Sequence, residues 1–202
     1  MYRLAKILTW LLAKIGFRIK ASGSENIPES GPVILVCNHI HMMDVVCMYV
    51  QAPRRIWFMA KKELFKNRIL GAVFSAFGAF PIARGEADVA GIRTAMKHLK
   101  DGDLLCIFPE GTRNKKREVP LLPLQDGVAM LAMRCKADIV PTWIGGKYNP
   151  IDRVRVYTGK KMDLTAYAEV RKPGQEEIAA LTEEIRDALL QCKEAQEQRD
   201  AR

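Results

Sequence analysis

Short apolar runs that stop at polar or charged stations, with helix-period segments between them, most restrict the folds open to this chain. Val33 to Cys37 is a β-branched run entered through Gly31-Pro32, and it stops at Asn38-His39. Leu104 to Phe108 stops at Pro109-Glu110-Gly111-Thr112-Arg113. Both have the length and unbroken apolar character of buried strands. Ala87 to Lys100 repeats Val89, Ile92 and Met96 at helical spacing, Gly127 to Arg134 is helical in pattern, and Val154 to Tyr157 reads as a short strand. In Ile69 to Ala83, Gly71, Gly78 and Pro81 divide an apolar stretch into helix, turn and strand. Lys172-Pro173-Gly174 opens a last amphipathic helix carrying Ile178, Leu181, Ile185 and Leu189. Strand and helix in alternation predict an α/β fold, whose sites form where loops leave the C-terminal ends of strands.

The first station can supply a base. His39 would sit on a rigid element facing open space, and Asp44 follows five positions later. That spacing puts the side chains roughly 140° apart on a helix and on opposite faces of a strand. Only a turn from strand into helix brings them together, with Asp44 in the first turn of a helix over about Met43 to Gln51, where the dipole favours a carboxylate. An imidazole oriented by a carboxylate has its tautomer fixed and can take the proton of a hydroxyl that attacks an activated acyl group. From these two residues alone, a loop histidine beside a helix cap is the more economical description.

The second station adds anion chemistry. Gly111 allows close backbone approach, and Arg113 offers a planar fork for phosphate or carboxylate. Gly78-Ala79-Phe80-Pro81-Ile82-Ala83-Arg84 delivers a second arginine after a third strand-like run. Two arginines and Glu110 at strand ends predict an anion pocket, although each alone also fits a solvated loop charge.

In order along the chain, these segments resemble the glycerophosphate acyltransferase family, most closely its 1-acyl-glycerol-3-phosphate acyltransferase branch. That family carries an Asn-His, four residues, Asp block; a Gly-to-Arg block; a Phe-Pro-Glu-Gly-Thr-Arg block; and a late hydrophobic-Pro block. They stand here at Asn38 to Asp44, Gly78 to Arg84, Phe108 to Arg113 and Ile139 to Thr142, and the resemblance runs from about Gly23 to Lys160. Ala60-Lys61-Lys62-Glu63-Leu64-Phe65 also looks like a family segment. Where the family commonly has serine two positions after its histidine, this chain has His41, expected as an exposed loop side chain.

The resemblance implies a single-domain fold, a mixed sheet flanked by helices, and direct transfer without an acyl-enzyme. His39, oriented by Asp44, would deprotonate the sn-2 hydroxyl of lysophosphatidate, which would attack the thioester of acyl carrier protein or coenzyme A. Arg84, Arg113 and Lys61 would hold the phosphate, with Glu110 and Gly111 shaping the pocket. No metal and no cofactor beyond that thioester co-substrate is expected. Phe74, Phe77 and Phe80 are candidates to line an acyl path or to fill core.

A net charge of +9 accompanies a composition otherwise ordinary for a globular chain, 49% hydrophobic and 27% charged. Lys and Arg spread along the chain without aromatic platforms, so anionic lipid explains the charge more economically than nucleic acid, which is not expected as a partner. Met1 to Lys20 has no charge-free stretch longer than Ile7 to Ala13, against the ~20 residues of a spanning helix. Leu4, Ile7, Leu8, Leu11 and Ile15 share one helical face with cations to the side, as in a helix lying in a membrane interface. We therefore expect residues 1–22 to be an amphipathic interfacial membrane-docking segment, 23–192 the acyltransferase domain, and 193–202 a charged tail that frays. The expected location is peripheral, on the cytoplasmic face of a membrane. Five cysteines without metal spacing fit reduced, packing residues.

Four other assignments remain open from the sequence. His39, His41 and Asp44 could begin a metal site with His98. Cys37 could act as a nucleophile. The chain could act on another lyso-lipid, or keep the fold as a non-catalytic lipid-binding module.

Overall fold

Val33–Cys37 forms β2, the axis of the molecule: all five residues are fully buried, and parallel partners flank it on both sides. A strand covered on both faces has no solvent side, which is why its sequence is apolar without alternation. The computed structural model describes residues 18–83, 88–149, 151–170 and 172–201. Most of the expected docking segment, residues 1–17, and Arg84 lie outside the described residues.

The other strands are β1 (Lys20–Ser22), β3 (Ile56–Lys61), β4 (Ala79–Ile82), β5 (Leu104–Ile107), β6 (Asp138–Gly146) and β7 (Val154–Thr158). They form one sheet in the order β1-β7-β6-β2-β5-β3-β4, parallel throughout except that β7 runs antiparallel to β6 and, with β1, makes the sheet mixed. Helices α1 (Asp44–Gln51), α2 (Arg68–Ala76), α3 (Val89–Lys100), α4 (Gly127–Cys135) and α5 (Gln175–Asp200) connect and cover it.

Alternate residues of the central strands feed two cores. Val33, Leu35, Cys37, Leu104, Cys106 and Val140 pack with Cys47, Met48 and Tyr49 of α1 on one face. Ile34, Val36, Leu105 and Ile139 pack with Ala95 and Leu99 of α3, Val128 to Ala132 of α4, and Leu181, Ile185 and Leu189 of α5 on the other. The connection leaving β2 therefore crosses one face and the connection leaving β5 the other. Adjacent strands whose connections part in this way leave a crevice at their carboxyl ends. In this chain those carboxyl ends lead into His39 on one side and Phe108-Pro109 on the other.

One sequence expectation changes. The last helix does not fray at 193 but continues to Asp200. Its anchors are polar: Gln196 is buried with its side-chain amide on the Trp143 carbonyl, and Asp200 pairs with Arg155 at 2.7 Å. The three phenylalanines all pack: Phe80 is core, Phe77 meets Tyr49 edge-on, and Phe74 lies against Phe65.

Candidate active site

Where β2 stops, side chains take over its hydrogen bonding. Asn38 donates its amide to the Ile144 carbonyl at 2.9 Å and accepts the Ile144 N–H at 2.7 Å, extending the β2–β6 ladder by one side chain. The main chain is thereby free to turn. The His39 N–H goes to Glu110 Oε1 at 2.7 Å and the His39 carbonyl accepts from Asn114 N–H at 2.7 Å, so the residue is gripped by the loop that leaves β5.

Asp44 is fully buried, and its carboxylate organises the turn. Oδ2 accepts the Ile40 N–H at 2.7 Å and the His41 N–H at 2.8 Å, and lies 2.8 Å from His39 Nδ1. Oδ1 accepts the Tyr148 hydroxyl at 2.6 Å. With two main-chain N–H groups already on it, Oδ2 is the acceptor and His39 Nδ1–H the donor, which in the neutral imidazole leaves the lone pair on Nε2. The strand-to-helix turn required by the spacing thus brings His39 and Asp44 together, with α1 beginning at Asp44. Phe108, just past β5, stacks on the imidazole with centroids 4.2 Å apart, and only 12% of the His39 side chain remains exposed.

Glu110 is held as firmly. Its second oxygen accepts the Leu122 N–H at 2.9 Å, so one buried carboxylate ties the His39 turn to the far end of its own loop. Burial raises its pKa above the ordinary 4.5, outweighing the two main-chain donors that favour the charged form. Gly111 has φ +64°, a left-handed backbone that favours glycine, and a Cβ there would press on the end of the Gln125 side chain. Glu110 and Gly111 act on the shape of the loop.

The cations are arranged more loosely. Lys61 ends β3 and is exposed, 3.9 Å from Glu63; Arg113 is exposed on the loop after β5. Both emerge at the sheet edge that carries His39, with Lys61 two strand spacings, roughly 10 Å, across from β2. His41 is not the exposed loop residue expected. It is half-buried, stacks on Tyr148 with centroids 4.4 Å apart, and accepts the Met43 N–H at 3.3 Å through Nδ1. Its main-chain N–H, and not its ring, binds Asp44.

His98 takes no part in this cluster. It pairs with Asp103 at 2.8 Å and stacks on Trp57, at the opposite edge of the sheet. Among the described residues no group of three or more His, Cys, Asp or Glu side chains could hold a metal ion. Cys37 is fully buried, and burial raises its thiol pKa well above 9.0, so it offers no thiolate. A cleft of about 240 Å³ among Ala132, Met133, Lys136, Leu164, Tyr167 and Leu181 opens beside the start of β6, also at the far edge from His39.

Tyr148 was invisible in the sequence. It lies 104 positions from Asp44 with no motif around it, and only the antiparallel return from β6 to β7 carries it there. Burial and the neighbouring Cys47 and Asp44 push its pKa far up, so it remains a donor.

A family model described as acyltransferase matches residues 18–145. The chain belongs to the acyltransferase family. A Bacillus subtilis protein named 1-acyl-sn-glycerol-3-phosphate acyltransferase is 28% identical over 96% of this chain and 97% of its own length. A Streptococcus pneumoniae protein of the same name is 30% identical over 86% of this chain and 66% of its own. The crystal structure of the 1-acyl-sn-glycerophosphate (LPA) acyltransferase PlsC from Thermotoga maritima superposes with a TM-score of 0.74 at 23% identity, covering 100% of this chain and 80% of that one, and so shares the α/β fold. In this acyltransferase the family's Asn-His, four residues, Asp block is the gripped turn of β2, and its Glu-Gly-Thr-Arg block is the loop that does the gripping.

Proposed function

We propose that this acyltransferase moves a fatty acyl group from a thioester of acyl carrier protein or coenzyme A to the sn-2 hydroxyl of 1-acyl-glycerol-3-phosphate, giving phosphatidate for phospholipid synthesis. The observation that carries the proposal is the fixed His39 tautomer: a buried carboxylate holds Nδ1–H and presents Nε2 as the basic atom. A relative that matches nearly the whole chain is named 1-acyl-sn-glycerol-3-phosphate acyltransferase, which supports the acceptor.

His39 Nε2 takes the hydroxyl proton as the oxygen attacks the thioester carbonyl. An ester C–O bond forms, the C–S bond breaks, and the imidazolium returns the proton to the departing thiolate. Asp44 stabilises the imidazolium formed between those steps. No acyl-enzyme is needed, and the inert Cys37 offers none. Lys61 and Arg113 supply positive charge for the phosphate at the edge where the hydroxyl must enter, and Arg84, outside the described residues, takes the same task by its place in the family block. No metal or organic cofactor takes part. Placing hydroxyl and thioester side by side can supply roughly 7–11 kcal/mol in well-oriented systems. A bilayer acceptor supports a peripheral location, which we assign to the cytoplasmic face of a membrane; among the described residues no helix is long and apolar enough to cross one.

The test is transfer of a labelled acyl group from either thioester to lysophosphatidate in lipid vesicles, wild type against His39→Ala. Phosphatidate formed by the wild type and lost in the variant supports both reaction and base. No product across donors and chain lengths, with product from another lyso-lipid, would replace the acceptor.

A further inference from the structure

α2 wears its apolar stripe on the outside. Ile69, Ala72, Val73 and Ala76 stand at i, i+3, i+4 and i+7, the spacing that normally faces a core, yet all four are exposed, Ile69 at 77% and Val73 at 46%. Leu70 beside them is exposed at 51%, and Gly71 is the buried residue of the helix. This orientation is built in. Asn67 caps the helix by accepting the Ile69 and Leu70 N–H groups, and Gly71 sits so close to the turn Lys62–Phe65 that a Cβ would lie 3.3 Å from Phe65 Cα. Phe74 is spent against Phe65. The helix therefore cannot roll its apolar face inward without breaking its cap and its seat.

Cations accompany that face. Lys61, Lys62, Lys66 and Arg68, with Glu63 as the acid among them, occupy the end of β3, the turn and the start of α2, and Leu64 in the turn is also exposed. An apolar stripe with positive charge beside it fits an interface between acyl chains and anionic headgroups. A second copy of this chain would bring the same cluster against itself across a twofold, and residues 1–17, which carry Arg3, Lys6 and Lys14, would bring further positive charge. The location adds to the argument: this turn leaves the sheet at the edge carrying His39, where Met42 is also 66% exposed.

We propose that the outward face of α2, with Lys62, Lys66 and Arg68, is a docking surface for an anionic phospholipid bilayer, seating the active-site edge against the membrane. The proposal deepens the peripheral location included in the proposed function.

The experiment is flotation of the full chain with vesicles of phosphatidylcholine alone or mixed with phosphatidylglycerol, paired with an assay on a short-chain, monomeric lysophosphatidate in solution. The double variant Ile69→Glu/Val73→Glu should lose on the order of tenfold or more in vesicle affinity. The triple variant Lys62→Glu/Lys66→Glu/Arg68→Glu should lose the preference for phosphatidylglycerol and its salt dependence. Both should keep the wild-type unfolding midpoint and the activity on monomeric substrate. Undiminished flotation of the double variant overturns the proposal, as does a double variant that converts a dimer to a monomer, or binding that depends on residues 1–17 alone. Wild type that floats through α2 but never acylates monomeric lysophosphatidate would uphold the surface and sink the proposed reaction.

Discussion

Replacing Asp44 with asparagine separates two jobs that the carboxylate performs at once. Three donors converge on Oδ2, two of them main-chain N–H groups that cannot reverse polarity. An asparagine must therefore turn its carbonyl toward Ile40 and His41 and its amide toward Tyr148, whose hydroxyl oxygen can accept. The carbonyl still receives His39 Nδ1–H, so the tautomer survives and only the charge is lost. Two unit charges about 4 Å apart at an effective dielectric constant of 20 interact by about 4 kcal/mol, which bounds what Asp44 gives the imidazolium in the transition state. We expect kcat to fall roughly 10²–10³-fold, measured as initial rates of labelled phosphatidate formation in vesicles at saturating thioester. Asp44→Ala should fare worse in a different way. It strands two buried main-chain donors at about 1–3 kcal/mol each, lowering the melting temperature by on the order of 10 °C. A kcat for Asp44→Asn within threefold of wild type would refute the role given to the carboxylate. Loss as complete as that of His39→Ala would refute the retained tautomer.

Tyr148→Phe keeps the stack on His41 but removes the donor to Asp44 Oδ1; we expect a loss of about 1–3 kcal/mol in urea unfolding, with a smaller drop in kcat than for Asp44→Asn. Glu110 gives a pH prediction. Its folded pKa lies above its unfolded value, so between the two the native state binds more protons, and this group's contribution to stability is full below pH 4.5 and lost as pH rises through the folded pKa. Urea titrations of wild type and Glu110→Gln should show the wild-type advantage shrinking as pH is raised above 4.5, and an advantage that grows would contradict the raised pKa. Cys37→Ala should leave kcat nearly unchanged, and the Cys37 and Cys106 thiols, both fully protonated by burial, should resist iodoacetamide until the protein unfolds.

The features legible before folding are local. The run Val33 to Cys37 could only be a doubly covered strand, and five positions between His39 and Asp44 left only a strand-to-helix turn. Gly78, at φ +78°, divided one apolar stretch into α2 and β4, whereas Gly71 fell inside α2, and the block order marked an acyltransferase. These follow from side-chain periodicity and backbone sterics over a few residues, which do not depend on distant partners. Long-range packing set the rest. Tyr148 reaches Asp44 from 104 positions away, and Glu110 holds the His39 main chain from 71. His41 was drawn into a stack that no spacing forecasts, and polar Gln196 and Asp200 held a helix end that looked unanchored. The face of α2 is the sharpest case. Its periodicity names an apolar stripe, but whether the stripe faces core or outside depends on what lies beneath the helix, and here the Phe65 turn already fills that place.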